Sequence, residues 1–339
     1  MNFSNLLQHV QSGSDLEISD MEYAISEMMD GKISEDSMAD FLLALKEKGE
    51  AVAELVGAAR AMRSKMAQIT SNHSVLVDTC GTGGDGSGTF NISTAAAIVA
   101  AASGVPIAKH GNRAISSKSG SADALKELGV NVEASKACVE NCLQEIGLCF
   151  CFAPLFHESV KNVGAARKKL GVPTIFNMLG PLCNPAGAGF QMIGVGKAWQ
   201  RPLIAAALQK LGTTRSVVVH GRDGICEVSN ADSTEVSIVS PEKIEEAIWS
   251  PADFGLTPST RGEITVETPV QSAELIQSAL SGKPGGARDI VILNAAAAMW
   301  LVNNSQSLQE CAAAALDQIE SQNAIDTLKR LIECSQIEP

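Results

Sequence analysis

Five glycines fall within the eight residues from Gly81 to Gly88. They belong to the segment DTCGTGGDGSGTFNIST, Asp78 to Thr94, which lies between a short apolar run (SVLVDTC) and a small-residue stretch (ISTAAAIVAAAS). Glycine lets a backbone turn tightly and come close to a ligand. Successive N–H groups running into a helix start attract an anion. Asn91, Ser93 and Thr94 add amide and hydroxyl groups at that start. No Gly-Lys-Ser/Thr closes the segment, so it is not a P-loop. Gly81, Gly83 and Gly86 fit a dinucleotide frame, but no acidic residue follows a second strand at the expected place. The alternatives are an anion cradle and a plain flexible turn; the strand before it and the polar helix start after it favour the cradle.

A second constellation is KHGNRAISSKSGS, from Lys109 to Ser121. It too follows an apolar run (VPIAKH) and opens a helical stretch (SADALKELG). Two lysines, one arginine and several hydroxyls suit a multiply charged phosphate. Alone it reads equally well as a solvated basic loop. Two such loops at the same end of a parallel sheet would face one ligand.

The elements that must hold these loops follow from periodicity. Residues 1 to about 70 read as helices. Ser19 and Glu22 form a capping-box pattern, after which Met21, Ala24, Ile25 and Met28 share a face. Ser34 caps a helix burying Met38, Phe41, Leu42 and Leu45; a third runs from about Ala51 to Met66, with Val52, Leu55, Val56, Ala59 and Met62 in phase. From Ser74 short apolar runs alternate with helices through GLCFCFA, FQMIGVG, a helix from about Gln200 to Leu211, and RSVVVHG. That alternation predicts an α/β domain with a mostly parallel sheet flanked by helices. The expected division is a helical domain over 1–70, joined by a helical segment at about 157–185, and an α/β domain over 74–339. The acidic stretch 226–270 reads as irregular structure with short strands, and 287–336 as two or three helices.

Composition bounds the partners. The net charge of -12 argues against a nucleic-acid-binding or anionic-membrane surface. No long apolar segment predicts a transmembrane helix, and the first residues do not read as a signal peptide. Nine cysteines without zinc-ligand spacing predict reduced thiols in a cytoplasmic protein.

GTGGDGSGTFNIST followed by KHGNRAISSKSGSAD closely resembles the anthranilate phosphoribosyltransferases. So do the N-terminal helices, NVGAARKKLGVPTIFNMLGPLCNPA and VVVHGRDG. The resemblance implies a small helical domain joined to a larger α/β domain, a homodimer, and transfer of phosphoribose from 5-phosphoribosyl 1-diphosphate to anthranilate in tryptophan biosynthesis, with magnesium. It implies donor contacts at Gly81, Gly84, Asp85, Thr89, Asn91, Ile92, Ser93, Thr94, Lys109, His110, Gly111, Asn112, Arg113, Ala114, Ile115, Ser116, Ser117 and Ser121. It implies acceptor contacts at Gly81, His110, Asn112 and Arg167, with Lys109, Asn112, Arg113 and Arg167 carrying catalysis. Magnesium is expected at Ser93 and Glu227. The family pattern has an Asp-Glu pair where this chain has Cys226-Glu227, and a thiol is a poor ligand for a hard cation. Asp223, three residues earlier, is a candidate to compensate. A different aromatic acceptor, a nucleoside phosphorylase and a non-catalytic nucleic-acid-binding paralogue are the competing readings.

Overall fold

The computed structural model describes residues 2–114, 117–303 and 305–337. Four amphipathic helices come first: α1 (Phe3–Gln11), α2 (Ile18–Met29), α3 (Glu35–Lys48) and α4 (Val52–Lys65). Their expected apolar faces are buried, and Ser34 caps α3 by accepting from the Ser37 N–H. The capping box at Ser19 does not form. Helix α2 already begins before it, at Ile18, with Glu17 as its uncapped N-cap. Packing sets this start: Gly57 on α4 lies so close that an added Cβ would stand 2.9 Å from the Met21 Cβ. The close approach of two helices outweighs a cap worth about 1 kcal/mol.

The apolar runs become strands β1 (Val77–Gly81), β2 (Ile107–Gly111), β3 (Leu148–Phe152), β4 (Phe190–Gly194) and β5 (Arg215–Gly221). They pair in parallel in the order β3-β2-β1-β4-β5. The acidic stretch contributes a hairpin, β6 (Thr234–Val239) and β7 (Ile244–Trp249), which extends the sheet antiparallel from β5. The chain leaves β1 towards β2 on one side and later fills β4 on the other, so the strand order switches at β1. Ligands of open α/β sheets bind outside the carboxyl ends of the strands at such a switch.

Both faces of the sheet are covered, and its parallel strands are buried along most of their length. On one face the helices α5 (Ile92–Ala102), Gly286–Val302 and Asn323–Ser335 build a core around Met192, Val217 and Val219. On the other, Ile193 and Val218 pack with helix Gln200–Leu211 and join the core of α1–α4. The segment 158–170 returns to the helical lobe as a 3-10 turn (Glu158–Val160) and a helix (Lys161–Leu170). Its Val163 and Ala166 are buried there, and Asn162 Nδ2 donates to the Met29 carbonyl at 2.7 Å.

Candidate active site at the carboxyl ends of the strands

Gly83, Gly84, Gly86 and Gly88 hold φ between 62° and 75°, the left-handed region open to glycine. The fifth glycine, Gly81, lies opposite Gly194 on β4, where an added Cβ would stand 2.8 Å from the Gly194 carbonyl oxygen. Asp85 ties this loop to the turn after β5. Its Oδ1 accepts from Ser87 N at 3.0 Å, and its Oδ2 from Ser87 Oγ at 2.9 Å and Cys226 N at 3.0 Å. Thr89 Oγ1 lies 3.1 Å from Ser87 Oγ. Helix α5 then starts at Ile92, whose side chain is buried and whose N–H donates to the Phe90 carbonyl. The Thr94 hydroxyl is buried and has no hydrogen-bond partner among the described residues.

The second loop is closed at its neck by Asp123, whose Oδ2 accepts from Ala114 N at 2.9 Å and Gly120 N at 3.1 Å. Gly111 is required by the Phe150 ring, 2.6 Å from any added Cβ. The Asn112 carbonyl accepts from Ser121 Oγ at 3.3 Å, and Ser117 is exposed. Ile115 and Ser116, both expected as donor contacts, lie outside the described residues. Arg113 turns outward to Glu133 at 2.7 Å, with its guanidinium 5.6 Å from the Phe152 ring centroid. Both members of that pair are about half exposed, so it contributes roughly 0–1 kcal/mol and an incoming phosphate can displace Glu133.

Lys109 is not an open surface cation. It is buried, and its Nζ donates to the Thr79 carbonyl and to Ser93 Oγ. Burial pulls its pKa down, while Asp78, Cys80 and Glu227 act to hold the charge. Glu227 reaches the same place from the turn after β5, with its carboxylate on the Ser93 backbone N–H. Burial pushes the Glu227 carboxyl up to about 8; Lys109 opposes that rise and Asp85 adds to it. Ser93 and Glu227 thus supply oxygen donors at one point beside the loop. Among the described residues no group of three or more His, Cys, Asp or Glu side chains is arranged to hold a metal alone. Magnesium commonly takes one or two carboxylates and completes its shell with water and phosphate oxygens, so the pair fits a cation shared with a phosphate ligand. Burial, then Asp85 and Glu227, push the Cys226 thiol well up, and a neutral thiol does not suit a hard cation. Asp223 Oδ2 is held by Ser229 Oγ at 3.0 Å within its own turn.

A cavity of about 500 Å³ opens between the helical lobe and the strand ends. Gly81, His110, Asn112 and Arg167 all line it, with Met62 of α4, His157 and Phe176. Helical phase turns Arg167 inward, half-buried, while its neighbours Lys168 and Lys169 are exposed. The guanidinium stands 5.3 Å from the Phe176 ring centroid, and among the described residues no carboxylate pairs with it. Burial lowers its pKa, a cost that an entering carboxylate would offset. His110 and His157 lie 5.0 Å apart, with burial pushing them down to about 3 and about 4. His110 Nδ1 donates to the Gly180 carbonyl at 3.1 Å, which leaves Nε2 as an unprotonated acceptor. His157, Met62 and Phe176 were not among the residues expected from sequence. His157 closes FAPLFH just beyond β3, at the same sheet end as His110, and that position was the available signal.

Residues 73–325 match the glycosyl transferase family, a/b domain, and residues 4–66 match the glycosyl transferase family, helical bundle domain. The chain is 48% identical to the anthranilate phosphoribosyltransferase of Rhodopirellula baltica, over 98% of this chain and 97% of that one. Its structure is similar to anthranilate phosphoribosyltransferase from Thermus thermophilus (TM-score 0.91, 37% identity, 98% and 99% of the two chains). It is also similar to the Saccharomyces cerevisiae enzyme in complex with PRPP and Mg (TM-score 0.89, 27% identity, 98% of each chain).

Proposed function

Given that this chain belongs to the anthranilate phosphoribosyltransferase family, we propose that it transfers the phosphoribosyl group of 5-phosphoribosyl 1-diphosphate to the amine of anthranilate. The products are N-(5-phosphoribosyl)anthranilate and diphosphate, and the step belongs to tryptophan biosynthesis. The observation that carries this reading is Arg167, which has no carboxylate partner among the described residues and stands 5.3 Å from the Phe176 ring centroid in a cavity also lined by Gly81, the first glycine of the anion cradle.

Anthranilate brings a carboxylate and an aromatic amine. Arg167 pairs with the carboxylate, and a guanidinium can do so bidentately. The amine's lone pair is available at neutral pH, so no strong base is required. His110, held neutral, serves as a hydrogen-bond acceptor that orients the amine rather than as a base. Asn112 lines the same wall. The donor's diphosphate lies along the Gly81–Gly88 loop and the start of α5, whose N–H groups stabilise the negative charge of the leaving group. Lys109 supports that charge from beneath through Ser93, and Arg113 exchanges Glu133 for phosphate. Magnesium bound with the donor would be held by Ser93 and Glu227, and it neutralises diphosphate charge. Catalysis is then positioning and electrostatics, with no covalent enzyme intermediate.

Replacing Arg167 tests the acceptor half. In Arg167→Gln the KM for anthranilate is expected to rise on the order of a hundredfold, as loss of a hydrogen bond to a charged group implies, with the donor KM unchanged. Equal changes in both constants, or none, would remove Arg167 from the acceptor site. We also propose a cytoplasmic homodimer, supported by nine cysteines that form no disulfide among the described residues and by Tyr23 and Leu43 exposed on the helical lobe. Sedimentation at the monomer mass would exclude the dimer, and recovery in the membrane fraction would exclude the location. Among the described residues no helix is long and apolar enough to cross a membrane.

A further inference from the structure

Asn91 stands at the junction of three segments distant in sequence. Its Oδ1 accepts from Ser119 Oγ at 2.7 Å and from Ser272 Oγ at 2.8 Å. Its backbone N–H donates to Ser272 Oγ at 3.0 Å, and its Nδ2 donates to the Ser119 carbonyl at 3.2 Å. Ser272 is completely buried and Ser119 nearly so. The directions are determined by chemistry: a carbonyl can only accept, so Nδ2 faces Ser119 O, and Ser272 Oγ, already accepting from an N–H, must donate to Oδ1. A side-chain amide offers two acceptor sites and two donor hydrogens. The two hydroxyls use both acceptor sites and Ser119 O uses one hydrogen, so one amide N–H remains for a ligand.

Ser272 lies on the helix Pro269–Leu280. The chain just before that helix is also bound to the first loop. Phe90 N donates to the Ile264 carbonyl at 2.9 Å and Val266 N to the Gly88 carbonyl at 2.8 Å, flanking an antiparallel bridge between Thr89 and Thr265. The segment from Ile264 to Ser272 therefore runs as a strap along the outside of the glycine loop and is pinned at both ends. A Lys118–Glu267 ion pair at 2.8 Å joins the strap to the second loop, but both side chains are more than half exposed. Such a pair contributes little, whereas leaving buried groups at Asn91 unpaired is costly. The buried knot, not the ion pair, is what locks the two loops together.

We propose that Ser272 is a positioning residue for phosphoribosyl transfer: it fixes the Asn91 amide, and with it the spacing of both donor loops, from a helix that no donor-site motif includes. The assignment rests on the donor lying across these two loops, as in the function proposed above.

The test is steady-state kinetics of the full-length enzyme at saturating magnesium, on Ser272→Ala, Ser119→Ala and the double variant, well below their melting temperatures. Ser272→Ala should raise the donor KM on the order of tenfold, the equivalent of about one hydrogen bond, with the anthranilate KM within about twofold of wild type. Because both hydroxyls act on one oxygen, the double variant should lose little more than the worse single one. An unchanged donor KM, parallel rises in both constants, or fully additive effects would overturn the proposal. If Ser272→Ala does not fold, Ser272→Cys, which removes the hydroxyl but nearly keeps the side-chain volume, is read against the same constants: a donor KM raised without the anthranilate KM supports the proposal, and an unchanged donor KM overturns it. Failure of the functional reading itself would appear differently, as absence of anthranilate-dependent turnover in the unaltered enzyme.

Discussion

At position 226 a thiol stands where the family pattern implies a carboxylate. Its backbone N–H still holds Asp85, so the turn keeps its connection to the glycine loop. Cys226→Asp should tighten magnesium binding in the presence of donor by roughly tenfold, the scale on which changes around a metal alter its affinity. Calorimetric titration reads this without relying on turnover; an unchanged affinity would show that position 226 lies outside the metal's reach. Other residue-scale features differ in how readable they were. The loop glycines were legible because a tight turn is a local demand of the chain. The inward turn of Arg167 was not legible from AARKKLG alone, where it stands beside two solvated lysines. The Asn91–Ser272 knot left no signal at all, since serines are common and 181 residues separate the two.

Among the elements, the helical lobe has its own polar anchor. Glu54 on α4 is fully buried and accepts from Leu16 N at 3.1 Å, Ala51 N at 2.7 Å and Lys48 Nζ at 3.0 Å. It joins the turn before α2 to the turn before α4. Glu54→Ala leaves two backbone donors and a largely buried ammonium without that carboxylate, and should cost about 3–5 kcal/mol, seen as a lower urea midpoint. An unchanged midpoint would mean that water replaces the carboxylate at no cost. The helices expected from about Ala51 to Met66 and from about Gln200 to Leu211 were readable to within a residue. The start of α2 was misread at Ser19 because contact with Gly57, a tertiary effect, decides it. The hairpin Thr234–Val239 and Ile244–Trp249 was readable only as short strands, since joining an existing sheet edge depends on long-range pairing with β5.

At the scale of the molecule, a chain of net charge -12 concentrates its useful cations where the strand order switches: Lys109 beneath the loop, Arg113 at its rim and Arg167 across the cavity. Charge beyond about 8 Å is screened at physiological ionic strength, so the acidic surface does not prevent an anionic donor from binding there. The core of the helical lobe runs on into one face of the sheet through Ile193, Val218 and helix Gln200–Leu211. That continuity sets α4 and the Lys161–Leu170 helix over the strand ends, so the two parts of the chain together line the cavity of about 500 Å³. The most direct test is release of diphosphate from 5-phosphoribosyl 1-diphosphate, with and without anthranilate, over a range of magnesium concentrations. The expected result is release that requires both anthranilate and magnesium. No anthranilate-dependent release at any magnesium concentration would contradict it.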